Sequence, residues 1–365
     1  MRSSTVRGVT VISLARGVPT PDLLPIPAIR EASARALNAQ AATVLAYGPG
    51  GGYPPLREAL AARHGVDPQR ILVVNGSLQG VAFIAEHLRR AGQAHVALEA
   101  PTYDRALKNF ADRDFRITSV PLEADGIDVE ALAEAETPDL LYTIPTFHNP
   151  AGCTLSPPKR RRLAELARER DLLIFEDDPY RLLRFEGDQV PALHDLAPER
   201  VVWSTSFTKT VAPGLRVGYL IVPEPLVDGL TALAVDTYIS PSFLPEAIVT
   251  DLLGSGVFEA SVELARKALA ERLGVMCDAL DEHLPEARYV RPQGGYFLWL
   301  QLPEGTEAGA VHAAAERHGV AFVPGTEFFL DGGERHLRLA FSGVQQEQIG
   351  EAVRRLSAAV TDAGG

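Results

Sequence analysis

Ser204-Thr205-Ser206-Phe207-Thr208-Lys209 is the stretch around which the rest of the chain is organised. It follows a β-type run, Val201-Val202-Trp203, and an arginine, Arg216, lies seven positions after the lysine. The amine of a lysine condenses with a carbonyl carbon, whereas hydroxyls and a guanidinium hold a phosphate group. The stretch is therefore suited to a phosphorylated aldehyde.

Lys209 differs from the other lysines in its surroundings. The ordinary alternative is a solvated loop lysine, since most lysines are solvated. Lys108, Lys159 and Lys267 lie in stretches typical of helix surfaces, and Lys159 begins a Lys-Arg-Arg-Arg run. The hydroxyls and Arg216 single out Lys209, and they point to pyridoxal phosphate as the cofactor.

Composition limits the classes of protein that fit the chain. With 365 residues, 46% hydrophobic and 22% charged, the chain is long enough for two globular domains. A net charge of −12 argues against nucleic acid or an anionic membrane surface as a partner. No apolar run reaches the roughly 18 residues of a membrane-spanning helix. Two cysteines, Cys153 and Cys277, suggest neither a disulfide framework nor a metal site, so we expect a cytoplasmic protein without metal.

Strands and helices alternate from Ile71 onward. Ile71–Val74 has the pattern of a strand, and Leu78–Arg90 has helical spacing of apolar residues. Such alternation, with β-branched strands, predicts an α/β fold with a mainly parallel seven-stranded sheet flanked by helices. The further predicted strands are 95–99, 116–121, 140–145, 172–176, 201–205 and 217–222, and a helix is predicted over 157–170.

The pattern of apolar and polar residues changes after about Pro245. Residues 244–284 are amphipathic with an interruption near Gly254-Gly256, and an α+β pattern follows. The N-terminal segment has too many prolines for a helix and predicts an extended arm before a helix over 26–38. We expect an arm and helix in 1–45 that belong to a small domain, a large domain in 46–245, and a small C-terminal domain in 246–365. The later elements are predicted as strands at 295–300, 320–323 and 336–341 and helices at 308–318 and 344–360.

Polar groups follow several of the predicted strands. Asn75-Gly76-Ser77 opens a helix, where free N–H groups bind an anion, although a plain turn explains it equally well. Tyr103 could stack on a pyridine ring or be a packed turn residue, and Asn149 could donate to a phenolate oxygen. An ionised Asp177 against a pyridine nitrogen keeps that nitrogen protonated, whereas Asp178 better suits a capping role.

These motifs, in this order and at these intervals, resemble the fold-type I pyridoxal-phosphate enzymes, in particular the class I/II aminotransferases. The resemblance covers nearly the whole chain. The Tyr47-Gly48-x-x-x-Gly52 and Asp177-Asp178-Pro179-Tyr180 forms are most similar to the subgroup of 2-aminoadipate and kynurenine aminotransferases and the aminotransferase-like half of MocR regulators. The other motifs are Asn75-Gly76-Ser77, Pro101-x-Tyr103, Asn149-Pro150-x-Gly152, Ser206-x-Thr208-Lys209 and Arg216-x-Gly218.

The resemblance implies a role for each matching residue. Lys209 would form the internal aldimine and move the proton between the substrate Cα and the cofactor C4′, with Asp177 and Tyr103 as the other catalytic residues. Arg338 would grip the α-carboxylate of the substrate, near Gly17 and Asn149. The fold would be a homodimer with a shared active site, in which Tyr47 reaches the phosphate of the neighbouring subunit. The cofactor-binding residues would be Ser77, Leu78, Tyr103, Asn149, Asp177, Tyr180, Ser206, Thr208, Lys209 and Arg216.

Two features of the chain depart from the family pattern, one at the phosphate site and one in the arm that helps to select substrates. Leu78 stands where the subgroup usually has glutamine, so only its backbone N–H can bind phosphate. The N-terminal arm, which helps to select substrates in this subgroup, is short. Arg16, Arg30 and Arg105 are candidates for reading an acidic side chain, but a surface position suits each of them.

The leading interpretation is transamination, in which an L-amino acid gives its amino group to a 2-oxo acid. Elimination, cyclisation or decarboxylation on the same scaffold, as in natural-product biosynthesis, stays an alternative. A ligand-sensing module of the MocR kind is a second alternative, and the missing winged helix and the acidic charge weigh against it.

Overall fold

The computed structural model describes residues 5, 6 and 9–364, and two β-sheets dominate these residues. The one with eight strands is called the large sheet here, and the one with four strands the small sheet. The α-helices are Ile26–Val44, Pro54–His64, Ser77–Arg90, Asp104–Ala111, Val129–Glu134, Pro157–Glu169, Leu193–Leu196, Val227–Tyr238, Phe243–Gly254, Val257–His283, Ala308–His318 and Gln346–Gly364.

The large sheet is mainly parallel. Its strands lie in the order Ile71–Val74, Gly218–Ile221, Val201–Ser206, Leu173–Asp177, Leu140–Thr143, His95–Ala100, Arg116–Glu123 and Gly126–Ile127. Gly218–Ile221 is antiparallel to both of its neighbours. All seven predicted strands are present, and the eighth is a two-residue strand that forms a hairpin with Arg116–Glu123. The predicted α/β class is confirmed.

Both faces of the large sheet are buried. In the strand Ile71–Val74, Ile71 and Val73 pack into one hydrophobic cluster, whereas Leu72 and Val74 pack into another. Successive side chains of a strand point to opposite faces, so helices cover the sheet on both sides. The carboxyl ends of its parallel strands therefore open at one edge.

The small sheet is antiparallel and receives the N-terminal arm. Its strands lie in the order Arg288–Tyr289, Phe297–Gln301, His336–Ala340 and Val323–Pro324. The arm strand Ile12–Ser13 pairs in parallel with Val320–Ala321, and Leu14 is buried in the same core as the small sheet. Thr5–Val6 and Val9–Thr10 form a separate antiparallel pair.

Two elements differ from their predicted extent. The helix predicted over 26–38 continues to Val44, and Ala32 and Ala36 are buried in a core shared with the helix Phe243–Gly254 and the large sheet. The strand predicted over 320–323 is divided into two short strands with different partners. The domain boundaries stay a prediction, and this packing favours grouping the helix Ile26–Val44 with the large sheet.

Within the described part of the chain, no helix combines the length and the hydropathy needed to cross a bilayer.

Candidate active site

A cavity of about 660 Å3 lies at the carboxyl ends of the central parallel strands. The large sheet forms its floor, and residues of the arm and of the small sheet, such as Gly17 and Phe297, close it from above. The predicted site residues on its wall are Gly17, Ser77, Leu78, Tyr103, Asn149, Asp177, Tyr180, Ser206, Thr208, Lys209, Arg216 and Arg338.

One end of the cavity can bind a phosphate. The helix Ser77–Arg90 begins there at Gly76, which provides no side-chain cap, so the first N–H groups of the helix remain available. Arg216 has a left-handed backbone and donates from Nη2 to the carbonyl oxygen of Asn75 at 2.5 Å. A Cβ on Gly76 would lie 2.5 Å from Arg216 Nη2, so only glycine leaves room for the guanidinium. Ser206 and Thr208 line the same cavity.

Lys209 lies half-buried in the wall of the cavity. Its Nζ donates to the carbonyl oxygen of Gly17 at 2.6 Å and lies 5.3 and 5.7 Å from the ring centroids of Tyr296 and Tyr180. The Tyr296 hydroxyl donates to the Lys209 carbonyl oxygen at 2.7 Å, which fixes the backbone of the lysine. Burial, with help from the charge of Arg338, lowers the pKa of Lys209 to about 8. About a tenth of the amine is then neutral at pH 7, far more than for an ordinary lysine, and this neutral form can act as a nucleophile or base.

Asp177 ends the strand Leu173–Asp177 and is 4% exposed. The Tyr142 hydroxyl donates to Oδ2 at 2.9 Å, whereas Oδ1 has no hydrogen-bond partner among the described residues. Burial raises the pKa of Asp177 to about 7, and the hydrogen bond from Tyr142 opposes that rise. A buried carboxylate oxygen without a partner is costly, so this atom suits a ligand that brings a proton or a positive charge.

Arg338 lines the same cavity from the strand His336–Ala340. Its Nη1 donates to Asn149 Oδ1 at 2.9 Å and its Nη2 to the carbonyl oxygen of Ala15 at 2.8 Å. The guanidinium carbon lies 4.3 and 4.9 Å from the ring centroids of Phe297 and Phe328. The Nε atom is buried and has no partner within the part of the chain described. The two aromatic rings hold a cation here that can bind a carboxylate.

Four further residues singled out by the sequence differ in their relation to this cavity. Tyr47 is 80% exposed and does not line the cavity. Arg105 does line it, at an exposed position beside Asp104, with 3.2 Å between Arg105 Nε and Asp104 Oδ2. Arg16 and Arg30 are not among the lining residues.

The departure at Leu78 has a structural counterpart one residue later. Gln79 Oε1 accepts hydrogen bonds from the backbone N–H and the side-chain amide of Asn75 at 2.8 and 3.1 Å. The glutamine amide thus braces the turn before the helix instead of facing the cavity.

Sequence reasoning missed several residues of the site. Tyr142 and Tyr296 bond directly to Asp177 and to the Lys209 backbone, but each lies within an apolar run that predicts only core packing. Phe297 and Phe328 flank Arg338 from elements distant in sequence. No local motif marks such residues, because their role depends on which strands are neighbours.

Comparison with known proteins agrees with this geometry. The family model for aminotransferase class I and II matches residues 9–356. A 2-aminoadipate transaminase of Thermus thermophilus is 37% identical over 96% of this chain and 90% of the relative. An aromatic-amino-acid aminotransferase of Thermococcus litoralis is 32% identical over 96% of this chain and 88% of the relative.

A solved structure is similar over the same extent. The α-aminoadipate aminotransferase from Thermus thermophilus, complexed with N-(5'-phosphopyridoxyl)-L-leucine, superimposes with a TM-score of 0.91. It is 36% identical, and the match covers 96% of this chain and 92% of that one. The predicted resemblance to the 2-aminoadipate aminotransferases is confirmed.

The chain belongs to the class I and II aminotransferase family and is a pyridoxal-phosphate-dependent aminotransferase. The residues of the cavity suit that cofactor, because an anion-binding helix end, the amine of Lys209 and the carboxylate of Asp177, one oxygen of which has no partner in the described ranges, belong to the same space.

Proposed function

We propose that this enzyme moves the amino group of an L-amino acid to a 2-oxo acid in the cavity around Lys209. The observation that carries the proposal is the arrangement of three charged groups in that one cavity. These are the half-buried amine of Lys209, the carboxylate of Asp177, one oxygen of which has no partner among the described residues, and the buried guanidinium of Arg338.

The proposed cofactor-binding residues fall into groups, each of which would hold a different part of pyridoxal phosphate. The helix end at Ser77 and Leu78, with Ser206, Thr208 and Arg216, would bind the phosphate. Tyr103 would stack on the ring, Asn149 and Tyr180 would bond its phenolic oxygen, and Asp177 would bond the ring nitrogen. When bound, pyridoxal phosphate supplies an electron-poor ring that accepts the electron pair of the broken Cα–H bond.

Lys209 would serve as the proton carrier of the reaction. The neutral amine takes the proton from the substrate Cα and returns a proton on the same face of the site. Its lowered pKa, about 8, favours the neutral form needed for this work. The contact with the Gly17 carbonyl holds the amine toward the arm, where the substrate would enter.

Arg338 would orient the substrate by its α-carboxylate. A guanidinium forms two parallel hydrogen bonds with a carboxylate, and the rings of Phe297 and Phe328 hold it in one plane. A carboxylate held by Arg338 is retained in the site and not released, so the Cα–H bond is the one expected to break with Lys209 as the base. This arrangement favours transamination over decarboxylation.

The same chain in two copies would complete the site. Tyr47 and Leu45 are 80% and 68% exposed, and the nearby Val235 and Ile239 are also exposed. A Cβ on Gly50 would lie 2.3 Å from the Val235 side chain, so the two segments are adjacent. A continuous exposed apolar patch marks a protein interface, so we propose a homodimer in which Tyr47 reaches the partner's phosphate.

The proposed compartment is the cytoplasm, with a role in amino-acid metabolism. Cys153 and Cys277 are both free and buried, which is the usual state of cysteines in a reducing compartment.

An absorbance titration tests the proposed reaction. The purified protein is loaded with pyridoxal phosphate, and 2-aminoadipate, an aromatic amino acid and alanine are added separately, each followed by 2-oxoglutarate. We expect the absorbance of the aldehyde form to disappear with at least one amino acid and to return with the oxo acid. Release of ammonia or carbon dioxide in place of this cycle would refute transamination and leave the cofactor assignment unchanged.

A further inference from the structure

Tyr142 hydrogen-bonds to Asp177 from within the large sheet. Its hydroxyl donates to Oδ2 at 2.9 Å, while Oδ1 on the same carboxylate is buried without a partner among the described residues. The two oxygens of Asp177 are thus in different states. Oδ2 is held by the protein, whereas Oδ1 is buried without a partner among the described residues, on a side chain that lines the cavity.

The position of the Tyr142 hydroxyl is fixed by the sheet. Tyr142 lies in the strand Leu140–Thr143, in register with Phe175 of the neighbouring strand, two residues before Asp177. Its ring stacks on Phe175 with a centroid distance of 5.9 Å and meets Phe110 edge-on at 6.2 Å. The side chain is fully buried. Close packing of this kind leaves the ring one orientation, so the hydroxyl points at Asp177 at all times.

We propose that Tyr142 is a positioning residue of the aminotransferase reaction, which holds one oxygen of Asp177 and keeps the carboxylate ionised, with the other oxygen toward the cofactor ring nitrogen. This inference rests on the proposed role of Asp177.

In this arrangement one proton is shared by two bases, the ring nitrogen of the cofactor and Oδ1 of Asp177. Burial favours the neutral carboxylic acid, which would draw the proton from the nitrogen to the oxygen. A hydrogen bond donated to the carboxylate favours its charged form and returns the proton to the nitrogen. Tyr142 is too deeply buried to titrate, since burial raises its pKa well above the ordinary value. It therefore acts as a donor at every working pH.

The test follows the ring nitrogen directly. Enzyme loaded with pyridoxal phosphate labelled with 15N at the ring nitrogen is studied by 15N NMR between pH 6 and pH 9, without substrate. In Tyr142→Phe we expect the 15N signal to move toward that of an unprotonated pyridine. The pH at which the nitrogen loses its proton should fall by about 1 to 2, the effect of one hydrogen bond to a charged group. The kcat should fall about tenfold or more, with the KM for the amino acid unchanged.

Tyr219→Phe is the matched control. Tyr219 is also buried in the large sheet, and its hydroxyl bonds to His64 Nε2 at 2.8 Å instead of Asp177. This variant should keep the wild-type 15N signal, which separates the specific effect from loss of any buried hydroxyl. An unchanged signal in Tyr142→Phe would overturn the proposal, as would an equal change in Tyr219→Phe.

Two further variants keep the result decisive. If Tyr142→Phe does not fold, difluorotyrosine at position 142 replaces it as a stronger donor, and the pH at which the ring nitrogen loses its proton should then rise, which is the movement of the signal that is tested. No movement there overturns the proposal. Asp177→Asn separates the two claims, because it should deprotonate the ring nitrogen if Asp177 has its proposed role. An unchanged signal in Asp177→Asn would refute that role itself, whereas a change there without one in the Tyr142 variants refutes only the inference about Tyr142.

Discussion

Glu176 and Asp177 are consecutive carboxylates on one buried strand, and their side chains lie on opposite faces of the large sheet with different hydrogen bonding. Glu176 Oε1 accepts from the Leu193 N–H and Oε2 from the His194 N–H, each at 2.9 Å. Arg160 lies on the same face, with 3.6 Å between its Nη1 and Glu176 Oε1. On the opposite face, Asp177 Oδ2 accepts from the Tyr142 hydroxyl, whereas Oδ1 accepts from none of the residues that the structure describes.

The difference separates a structural carboxylate from a functional one. Burial raises the pKa of both groups, so neither burial nor the direction of the pKa shift distinguishes them. What distinguishes them is how many of their hydrogen bonds the protein itself supplies. A carboxylate with both oxygens satisfied stabilises the fold, whereas one with an oxygen left over is ready for a ligand.

The largest expected effect lies on the functional face. Lys209→Ala should lower kcat/KM at least about 10,000-fold, because the variant loses both the covalent attachment and the proton carrier. The unfolding temperature of the cofactor-free protein should not fall, since a buried amine of this kind stabilises little. Steady-state kinetics and thermal unfolding measure both. Lys159→Ala, on a surface helix beside Glu123 and Asp125, is the control and should keep full activity.

Glu176→Ala should show the opposite pattern, a loss of stability with little loss of activity. The free energy of unfolding should fall by about 3–5 kcal/mol, because Arg160 loses its buried counter-ion and two N–H groups lose their acceptor. The kcat of the folded enzyme should change little. Urea unfolding measures the free energy of unfolding, and kinetics at low temperature measure kcat. A large loss of kcat in folded Glu176→Ala would abolish the distinction between the faces.

Asp177→Ala tests the neighbouring position with the same substitution. We expect kcat/KM to fall by about 100- to 1,000-fold, the usual cost of removing one preorganised electrostatic group. The cofactor-free variant should be as stable as the wild type or more stable, because the substitution removes a buried carboxylate with an unsatisfied oxygen. Parallel urea curves for the two alanine variants give the comparison directly. Equal destabilisation by both would show that Asp177 is also structural.

The smallest expected effect is a change in pH dependence. Burial lowers the pKa of Lys209 to about 8 from an ordinary 10.5, so the amine is charged below pH 8 and neutral above it. The rate at which cofactor-free protein binds pyridoxal phosphate covalently should therefore rise with pH through about 8 and then level off. Arg338→Gln should move that midpoint upward, because the charge of Arg338 lowers the lysine pKa. Stopped-flow absorbance measures the rate, and a wild-type midpoint near 10 would contradict the prediction.

The sequence predicted the fold and the residues at strand ends, because both depend on local patterns. Alternating apolar runs mark strands, and Asn75-Gly76-Ser77 or Asp177 follow such runs directly. The sequence could not identify Tyr142, since its partner depends on the register between two strands. It also could not separate the environments of Glu176 and Asp177, because the face that each side chain meets depends on the helices packed there.

The arm has a practical consequence for anyone who produces or engineers this protein. The carbonyl oxygens of Ala15 and Gly17 contact Arg338 and Lys209, and Ile12–Ser13 is the short strand that anchors them. A purification tag or fusion partner attached just before this strand would place foreign residues next to backbone atoms that contact the side chains of Arg338 and Lys209. Affinity tags are therefore better attached after the helix Gln346–Gly364.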